Sequence, residues 1–495
     1  MNCGRRTVAG WSLIVCLLGF ATGGRSAPQS SLAPSISRAD FAAAYLRFET
    51  AFLAAAPDEA ETARVNRAFD ALTLAFFSRN YSAAIEQLDH LTASLDPKGA
   101  GMLIPELGAY RSRFTPAVYS VGSGQPSLAV DILYEPGQPV DGLMVTLRLK
   151  RADPTSSIDI PLELTFPRDR PVLVSARLEE MTPKLRPGRY EVGFSAGPLF
   201  FLHGSWAVVS KPLDPRSAAN AARLAKIETA SPALLQAAAA VSARNKLLSD
   251  LPDPQNTAQM LFDPEVLAAE VEAEVAALEK GRDPFAGRTG DYWRVLQIDD
   301  RSVPLRVYRP ASVPAGKTLP LVVAFHGSGG DENMFMDAYG AGLIKRLADK
   351  YQFLAVSPFT NAFGGMKGAE TFDRMIEAIA YDYPIDRSRI YVVGHSMGAM
   401  TAAALAAARP AAIAAAACLC GFSGFKDGVE TVPPTLIVAG ELDPIASPAR
   451  IEPAFQKARA AGLPVEYRFL KNYGHTLAVT NILPEAVGWL LARSR

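Results

Sequence analysis

This sequence contains few cysteines and has no excess of charge of either sign. The 495-residue chain has four cysteines, too few for a disulfide scaffold. Its 50 Lys and Arg residues balance its 50 Asp and Glu residues, so the formal net charge is +0. Proteins that bind nucleic acids or anionic membrane surfaces usually carry a basic excess, so we expect neither partner. The hydrophobic fraction of 49% excludes a mostly disordered chain, and the length predicts about three domains.

Sequence patterns of metal and cofactor sites are also missing. The chain has no H-E-x-x-H segment and no paired Cys and His residues with zinc-ligand spacing. Gly316-Lys317-Thr318 resembles the end of a phosphate-binding loop. However, Ala311 stands where that loop needs its first glycine, and Leu319-Pro320 follows where a helix should begin. We therefore expect no cofactor and no metal.

Residues 1–27 have the pattern of a secretory signal peptide. Arg5 and Arg6 precede the mostly apolar stretch from Val8 to Phe20, which is too short to span a membrane. Small residues follow, so we expect cleavage between Ala21 and Ala27, with an uncleaved anchor as the alternative. The sequence thus predicts an exported protein, periplasmic or secreted, with no other membrane association.

Three predicted modules follow the signal peptide. Residues 28–108 carry apolar side chains at spacings of three and four, which predicts a helical bundle. Residues 109–212 change to short alternating runs separated by turns, which predicts an immunoglobulin-like β-sandwich. Residues 213–283 are helical again and form either a linker or a cap over an active site. Few aromatic residues occur there to line a pocket, which favours the linker.

Residues 284–495 alternate strands and helices. Leu319 to Phe325 is a continuous apolar run, as expected of a buried central strand. The alternation predicts a mostly parallel sheet with helices on both faces. Cys418 and Cys420 lie in another apolar stretch, and we interpret them as small buried hydrophobes. The predicted fold class is therefore a multidomain chain whose C-terminal α/β region follows a helical bundle, a β-sandwich and a helical linker.

A nucleophile motif lies in this C-terminal region. Gly394-His395-Ser396-Met397-Gly398 stands between an apolar strand and a helix, the context of the G-x-S-x-G nucleophile elbow. The serine of an elbow occupies a tight turn, so the residues two before and two after it must be small. Gly394 and Gly398 meet this requirement. We predict that Ser396 is a nucleophile above the C-terminal edge of the sheet.

A serine nucleophile needs a general base and an acid that orients the base. The chain has five histidines. Four of them are unsuited by position: His90, His203, His326 and His395. His475 remains, and it follows the last predicted strand. It thus obeys the order that accompanies a G-x-S-x-G elbow, in which the serine comes first, the acid second and the histidine last. Asp443 is the predicted acid because it lies just past the strand that ends at Ala439, and Glu441 is the runner-up.

The oxyanion formed during acyl transfer requires two backbone N–H donors. One is expected from Met397, the residue after the nucleophile. The other is expected from the glycine-rich loop that follows the central strand, where glycines let the backbone approach a substrate closely. We predict Ser328 as this second donor and Gly327 as its alternative.

Together these segments resemble the α/β-hydrolase superfamily. Within it they are similar to prolyl-oligopeptidase-like enzymes and to secreted esterases of the polyhydroxybutyrate-depolymerase or feruloyl-esterase type. The resemblance is carried by Phe325-His326-Gly327, Asp331-Glu332-Asn333, Ile385-Asp386, Arg389-Ile390-Tyr391, Gly394 to Gly398, Gly440 to Asp443 and Gly474-His475. It covers about the last 200 residues. It implies a hydrolase with no long insertion between strands, so a lid must come from Phe359 to Glu370, from Phe422 to Glu430, or from helices upstream.

The sequence therefore predicts an exported serine hydrolase that cleaves a small or polymeric carboxylic ester through an acyl-enzyme. A prolyl-oligopeptidase-like peptidase is the first alternative, although no β-propeller repeat precedes the C-terminal region. A non-enzymatic protein that binds through the β-sandwich is the second. Activity on a short-chain ester separates the enzymes from the binding protein.

Overall fold

The computed structural model describes the chain from residue 36 onward, with several gaps. The described residues are 36–96, 104–135, 143–151, 157–164, 172–174, 178–196, 199–229, 231–253, 262–299 and 301–495. They belong to one compact unit, Ile36–Arg495. The predicted signal peptide and residues 28–35 of the predicted bundle lie outside the described residues. Among the described helices, none is both long enough and apolar enough to cross a membrane.

Three helices open the described chain. They are α1 (Arg38–Ala55), α2 (Glu59–Phe77) and α3 (Tyr81–Ser94). Ser37 and Asp40 cap the start of α1 reciprocally. The Ser37 amide donates to the Asp40 carboxylate over 2.7 Å, and the Ser37 hydroxyl accepts from the Asp40 amide. Phe48 of α1 stacks on Phe69 of α2 with ring centroids 5.2 Å apart, so the aromatic faces of the two helices meet.

Two small sheets follow. Their strands are β1 (Tyr110–Thr115), β2 (Val118–Ser120), β3 (Ser127–Ile132), β4 (Leu143–Arg151), β5 (Ile158–Leu164), β6 (Val172–Val174), β7 (Gly188–Ala196) and β8 (Leu199–Val209), with short helices α4 (Ile104–Gly108) and α5 (Leu178–Met181). Among the described residues, one sheet has the order β1-β3-β6 and the other β2-β8-β7-β4-β5. Trp206 stacks on Phe114 with centroids 4.1 Å apart. Side chains from both sheets and from α1 to α3 form one apolar core. An immunoglobulin-type topology stays a prediction.

Helices α6 to α8 lie between these sheets and the C-terminal region. Their bounds are α6 (Leu213–Leu224), α7 (Pro232–Asn245) and α8 (Pro264–Leu278). Arg244 of α7 is fully buried. Its guanidinium donates to the Glu274 carboxylate over 3.0 Å and to the Trp293 carbonyl over 2.7 Å. Trp293 lies in the strand Gly290–Ile298, at the edge of the C-terminal sheet described next, so these contacts fix α7 and α8 against that edge.

The C-terminal region is built on the largest described sheet. Its strands are β9 (Gly290–Ile298), β10 (Arg301–Arg309), β11 (Leu319–Phe325), β12 (Leu354–Pro358), β13 (Ile385–His395), β14 (Ala415–Leu419), β15 (Thr435–Gly440) and β16 (Val465–Leu470). Its helices are α9 (Leu343–Tyr351), α10 (Gly368–Asp382), α11 (Met397–Ala408), α12 (Pro448–Ala460) and α13 (Leu477–Leu491).

The strand order of this sheet is β16-β15-β14-β13-β11-β12-β10-β9. The strands from β11 to β16 pair in parallel, whereas β9 and β10 form an antiparallel hairpin at one edge. On β11, Leu321 and Val323 belong to one apolar cluster, and Val322 and Ala324 belong to another. Successive strand residues point to opposite faces, so both faces of the sheet are buried. The predicted mostly parallel sheet is confirmed, and its C-terminal edge carries the candidate site.

Candidate active site

Ser396 stands in a sharp turn between β13 and α11. Its φ and ψ are 55° and −117°, a combination that residues with a side chain rarely adopt. A Cβ on Gly394 would lie 2.0 Å from the Gly398 carbonyl oxygen, and a Cβ on Gly398 would lie 2.0 Å from the Phe325 carbonyl oxygen. Neither position has room for a side chain. The turn therefore holds Ser396 in a strained conformation at the C-terminal edge of the sheet.

His475 and Asp443 form a buried pair at the same edge. His475 Nδ1 and Asp443 Oδ2 are 2.8 Å apart. Asp443 follows β15, and its other carboxylate oxygen accepts the amides of Ile445 and Ala446, each over 2.8 Å. An acid fixed in this way keeps a proton on His475 Nδ1 and leaves Nε2 as the proton acceptor. His475 and Ser396 line one cavity, so the structure brings all three predicted residues together.

Glu441, the alternative acid, has a different contact. Its carboxylate accepts the backbone amide of Asn472 over 2.8 Å. This hydrogen bond ties the end of β15 to the loop after β16. The structure thus places Asp443, and not Glu441, on the imidazole of His475.

The loop from Gly327 to Gly330 lies close to Ser396. A Cβ on Gly327 would stand 3.3 Å from Ser396 Cβ and 2.9 Å from His395 Nδ1. Gly327 and Ser328 both line the cavity. Met397 is the first residue of α11, and the first amides of a helix have no acceptor within the helix. The structure therefore brings all three predicted oxyanion donors to the neighbourhood of Ser396.

His326 holds this loop in place. Its Nε2 accepts the Thr360 amide over 2.9 Å, so the ring proton is on Nδ1, which donates to the Gly327 carbonyl over 2.8 Å. Burial lowers the pKa of His326. The neutral ring is the form that makes both hydrogen bonds, so burial favours this loop conformation.

His395 links the Ser396 turn to the loop between β16 and α13. This loop carries His475 and is called the His475 loop. Its Nε2 is 3.0 Å from the His475 carbonyl oxygen, and its Nδ1 is 2.7 Å from the Tyr339 hydroxyl. A carbonyl only accepts, so Nε2 carries the proton and Nδ1 accepts from Tyr339. Burial lowers the pKa of His395 well below its usual value and keeps the ring neutral. Sequence reasoning excludes His395 as the base but does not foresee this positioning role.

Helix α2 holds the other side of the His475 loop. Asn66 Oδ1 accepts the Gly474 amide and Asp70 Oδ2 accepts the His475 amide, each over 2.8 Å. Both side chains are buried, at 1% and 7% exposure. Sequence analysis missed both residues. Two polar residues four apart on the buried face of a helix were the available indication.

The Asp70 contact leads to a prediction. Asp70→Ala removes the acceptor of the His475 amide and is expected to lower kcat about tenfold, since a slightly misplaced base transfers protons poorly. Asp70→Asn keeps an oxygen acceptor, and we expect it to retain more activity. Steady-state kinetics on a small ester with both variants test this prediction. Equal loss in the two variants would contradict the hydrogen-bond argument.

Burial also raises the pKa of Asp70 from 3.8 to about 6, although the His475 amide and the nearby imidazole oppose the shift. The folded chain then binds more protons at this site than the unfolded chain does. Stability from Asp70 is therefore present below pH 4 and is lost as pH rises toward about 6. Urea unfolding should show a smaller loss of stability over this interval in Asp70→Asn than in the wild type.

A cavity of about 240 Å³ borders Ser396 and His475. Helices α1 and α2 supply one wall of it: Arg38, Phe41, Ala42, Tyr45, Leu46, Phe69, Leu72, Thr73, Phe76 and Phe77. In the described part of the chain, residues 213–283 contribute no lining residue. Neither do the lid candidates Phe359 to Glu370 and Phe422 to Glu430. The wall comes from the first two helices, so residues 284–495 do not contain the whole cavity.

Comparison with known proteins identifies the fold around this site. Residues 320–433 match the family described as alpha/beta hydrolase fold. A search among curated proteins found no match. The family match, together with the sheet order, shows that the C-terminal region has the α/β-hydrolase fold, and the predicted resemblance to the α/β-hydrolase superfamily is confirmed.

Several solved structures are also similar to this chain. A thermostable esterase is 22% identical with a TM-score of 0.36, and the match covers 41% of this chain and 63% of that one. A fluorophosphonate-binding serine hydrolase from Staphylococcus aureus is 15% identical with a TM-score of 0.35, covering 41% and 99% of the two chains. The feruloyl esterase module from Clostridium thermocellum complexed with sinapinate is 16% identical with a TM-score of 0.34, covering 41% and 88%.

Proposed function

We propose that this α/β hydrolase cleaves carboxylic esters, with Ser396 as the nucleophile and an acyl-enzyme as the intermediate. The proposal is carried by one observation: Ser396, in its strained turn, and His475, which is paired with Asp443, border the same cavity. A serine hydroxyl is a weak nucleophile without an adjacent base, and the base needs a third group to orient it. We assign the roles of nucleophile, base and orienting acid to Ser396, His475 and Asp443.

The first half of the reaction forms the acyl-enzyme. Ser396 Oγ attacks the ester carbonyl carbon while its proton passes to His475 Nε2, and Asp443 stabilises the resulting imidazolium. The carbonyl oxygen becomes an oxyanion, which the amides of Met397 and Ser328, or Gly327 in place of Ser328, hold by hydrogen bonds. Collapse of this intermediate breaks the bond to the alkoxy oxygen, and His475 returns the proton to the leaving alcohol.

The second half releases the acid. A water molecule gives a proton to His475 Nε2 as its oxygen attacks the acyl carbon. The same amides hold the second oxyanion. When this intermediate collapses, the bond to Ser396 Oγ breaks and His475 protonates that oxygen. The products of this half are a carboxylic acid and the regenerated serine.

Hydrolysis and covalent labelling together test the proposal. The protein should hydrolyse p-nitrophenyl acetate, and stoichiometric reaction with a fluorophosphonate should abolish that activity and label the peptide that contains Ser396. Faster cleavage of a peptide p-nitroanilide than of any ester would favour a peptidase instead. Absence of both hydrolysis and labelling would favour the binding protein.

We also propose that the chain is exported, on the strength of the charged, apolar and small-residue pattern of residues 1–27. Mass spectrometry of the mature protein should find a new N-terminus between Ala21 and Ala27. A protein that keeps Met1 and stays in the cytoplasm would contradict this proposal.

A further inference from the structure

The wall that α1 and α2 contribute to the cavity is aromatic. We call Phe41, Tyr45, Phe69, Phe76 and Phe77 the aromatic wall. The centroids of Phe41 and Phe76 are 4.8 Å apart, those of Phe76 and Phe77 are 5.4 Å apart, and those of Tyr45 and Phe69 are 5.8 Å apart. Rings at these separations support one another, so the wall is a continuous surface on two adjacent helices.

The aromatic wall reaches the loop that faces Ser396. A Cβ placed on Gly329 would lie 2.6 Å from the Phe76 ring and 3.2 Å from the Phe77 ring. Phe77 is 52% exposed, and Ile445, which follows Asp443 by two residues and also lines the cavity, is 40% exposed. Phe77 and Ile445 therefore add exposed apolar surface to the lining of the cavity. Ser396 and the aromatic wall line the same cavity, so a group attached to an ester whose carbonyl lies at Ser396 can contact the wall.

The charged side chains in the lining are already paired. Arg38 binds Asp331 over 3.0 Å. Asp337 binds Arg306 over 2.7 Å and Lys345 over 2.9 Å. A charged substrate group placed among these pairs and the aromatic rings would lose its hydration without gaining a counter-ion, which is costly. The lining thus favours an uncharged group.

The size of the cavity limits the group it can hold. A closed apolar cavity of roughly 150 Å³ accepts a benzene molecule. The cavity here is about 240 Å³, so it has room for a phenyl ring and a short linker to the ester. An acetyl group alone would leave most of the aromatic surface in contact with water.

From these observations we infer that α1 and α2 form the substrate-recognition surface, and that the preferred ester carries an uncharged apolar group of phenyl size or larger. This inference rests on the proposed ester hydrolysis. It assigns to the N-terminal helices a role in specificity, and it makes the aromatic wall the element that distinguishes one ester from another.

The test compares simple alkyl esters by titrating released acid at constant pH. Methyl acetate is the reference. Methyl phenylpropanoate enlarges the acyl side, and phenylpropyl acetate enlarges the alcohol side. We expect kcat/KM to be at least about tenfold higher for one of the two enlarged esters, because each added methylene in an apolar pocket is worth about tenfold or more. Monomethyl succinate should react more slowly than methyl pentanoate, which has similar length but no charge.

Two variants address the aromatic wall. Phe76→Ala removes a ring, and Ala42→Phe adds a ring at another position that lines the cavity. Each should lower the ratio of kcat/KM for the preferred ester to that for methyl acetate by about tenfold. Leu53→Ala is the matched control, because Leu53 is on α1, is 42% exposed and does not line the cavity. The ratio is measured within one preparation, so it does not depend on the fraction of enzyme that is folded.

The outcomes distinguish failure of the proposed ester hydrolysis from failure of the inference that the aromatic wall recognises the substrate. If the wild type hydrolyses no ester, the proposed function fails. If it hydrolyses methyl acetate as well as both enlarged esters, or if both wall variants keep the wild-type ratio, the inference on recognition is overturned and ester hydrolysis survives. A lower ratio in both wall variants, with the control unchanged, supports the inference.

Discussion

Ser396→Ala is expected to lower kcat on p-nitrophenyl acetate by roughly 10⁴- to 10⁶-fold, because the members of a nucleophile–base–acid set act as a unit. The side chain loses one oxygen and the turn is unchanged, so the midpoint of thermal unfolding should stay within about two degrees of the wild-type value. The measurement combines ester hydrolysis with calorimetry on the same preparation. Fluorophosphonate labelling should disappear in parallel with activity.

The control for this substitution is Ser302→Ala. Ser302 is an exposed residue of β10 that bonds to Gln297 and lies outside the cavity lining. It should keep wild-type kinetics. If Ser396→Ala retains a tenth of the wild-type rate, Ser396 is not the nucleophile and the proposed mechanism is wrong.

His475→Ala is expected to lower kcat about as much as the serine substitution, because Ser396 would lose its proposed proton acceptor. Asp443→Asn should leave more activity and lower kcat roughly 10³- to 10⁴-fold, since the imidazole remains but in the wrong tautomer. Added imidazole should partly restore His475→Ala, provided that it enters the space vacated by the ring. Kinetics on p-nitrophenyl acetate with and without imidazole measure these effects.

Glu441→Gln is the matched control for Asp443→Asn. Both substitutions replace a carboxylate by an amide after β15, but Glu441 contacts the Asn472 amide and Asp443 contacts the imidazole. We expect Glu441→Gln to stay within about threefold of the wild type. If Glu441→Gln lowers kcat strongly and Asp443→Asn lowers it only mildly, the acid is Glu441 and not Asp443.

The local parts of the site could be predicted from the sequence. The turn at Ser396 needs glycines at fixed distances, and α11 starts at Met397, as the pattern of apolar strand, small residues and helix indicates. The positions of the five histidines and the expected chain order select His475, and this fold brings the ends of its parallel strands to one edge. These features depend on residues close in sequence or on a fixed strand order, which a pattern records.

The contribution of α1 and α2 could not be predicted in the same way. The spacing of Phe69 and Phe76 indicates a helix with an apolar face, but it does not say which surface that face covers. Asp70 and His475 are 405 positions apart, and nothing near either residue indicates the other. From the sequence, residues 213–283 are therefore either a linker or a cap, with the linker favoured, and a lid is assigned to Phe359 to Glu370, to Phe422 to Glu430 or to upstream helices without a choice among them.

The hydrogen bonds of Asn66 and Asp70 to the His475 loop affect the point during synthesis and folding at which the chain becomes active. Asp70 of α2 precedes His475 by 405 positions, so a ribosome makes α2 well before the His475 loop and the two meet only after the loop has been made. Contacts over such long separations form slowly in folding. The newly made chain should therefore gain activity only after α2 and the His475 loop have docked. A protease that removes α1 and α2 should abolish activity without cutting near Ser396.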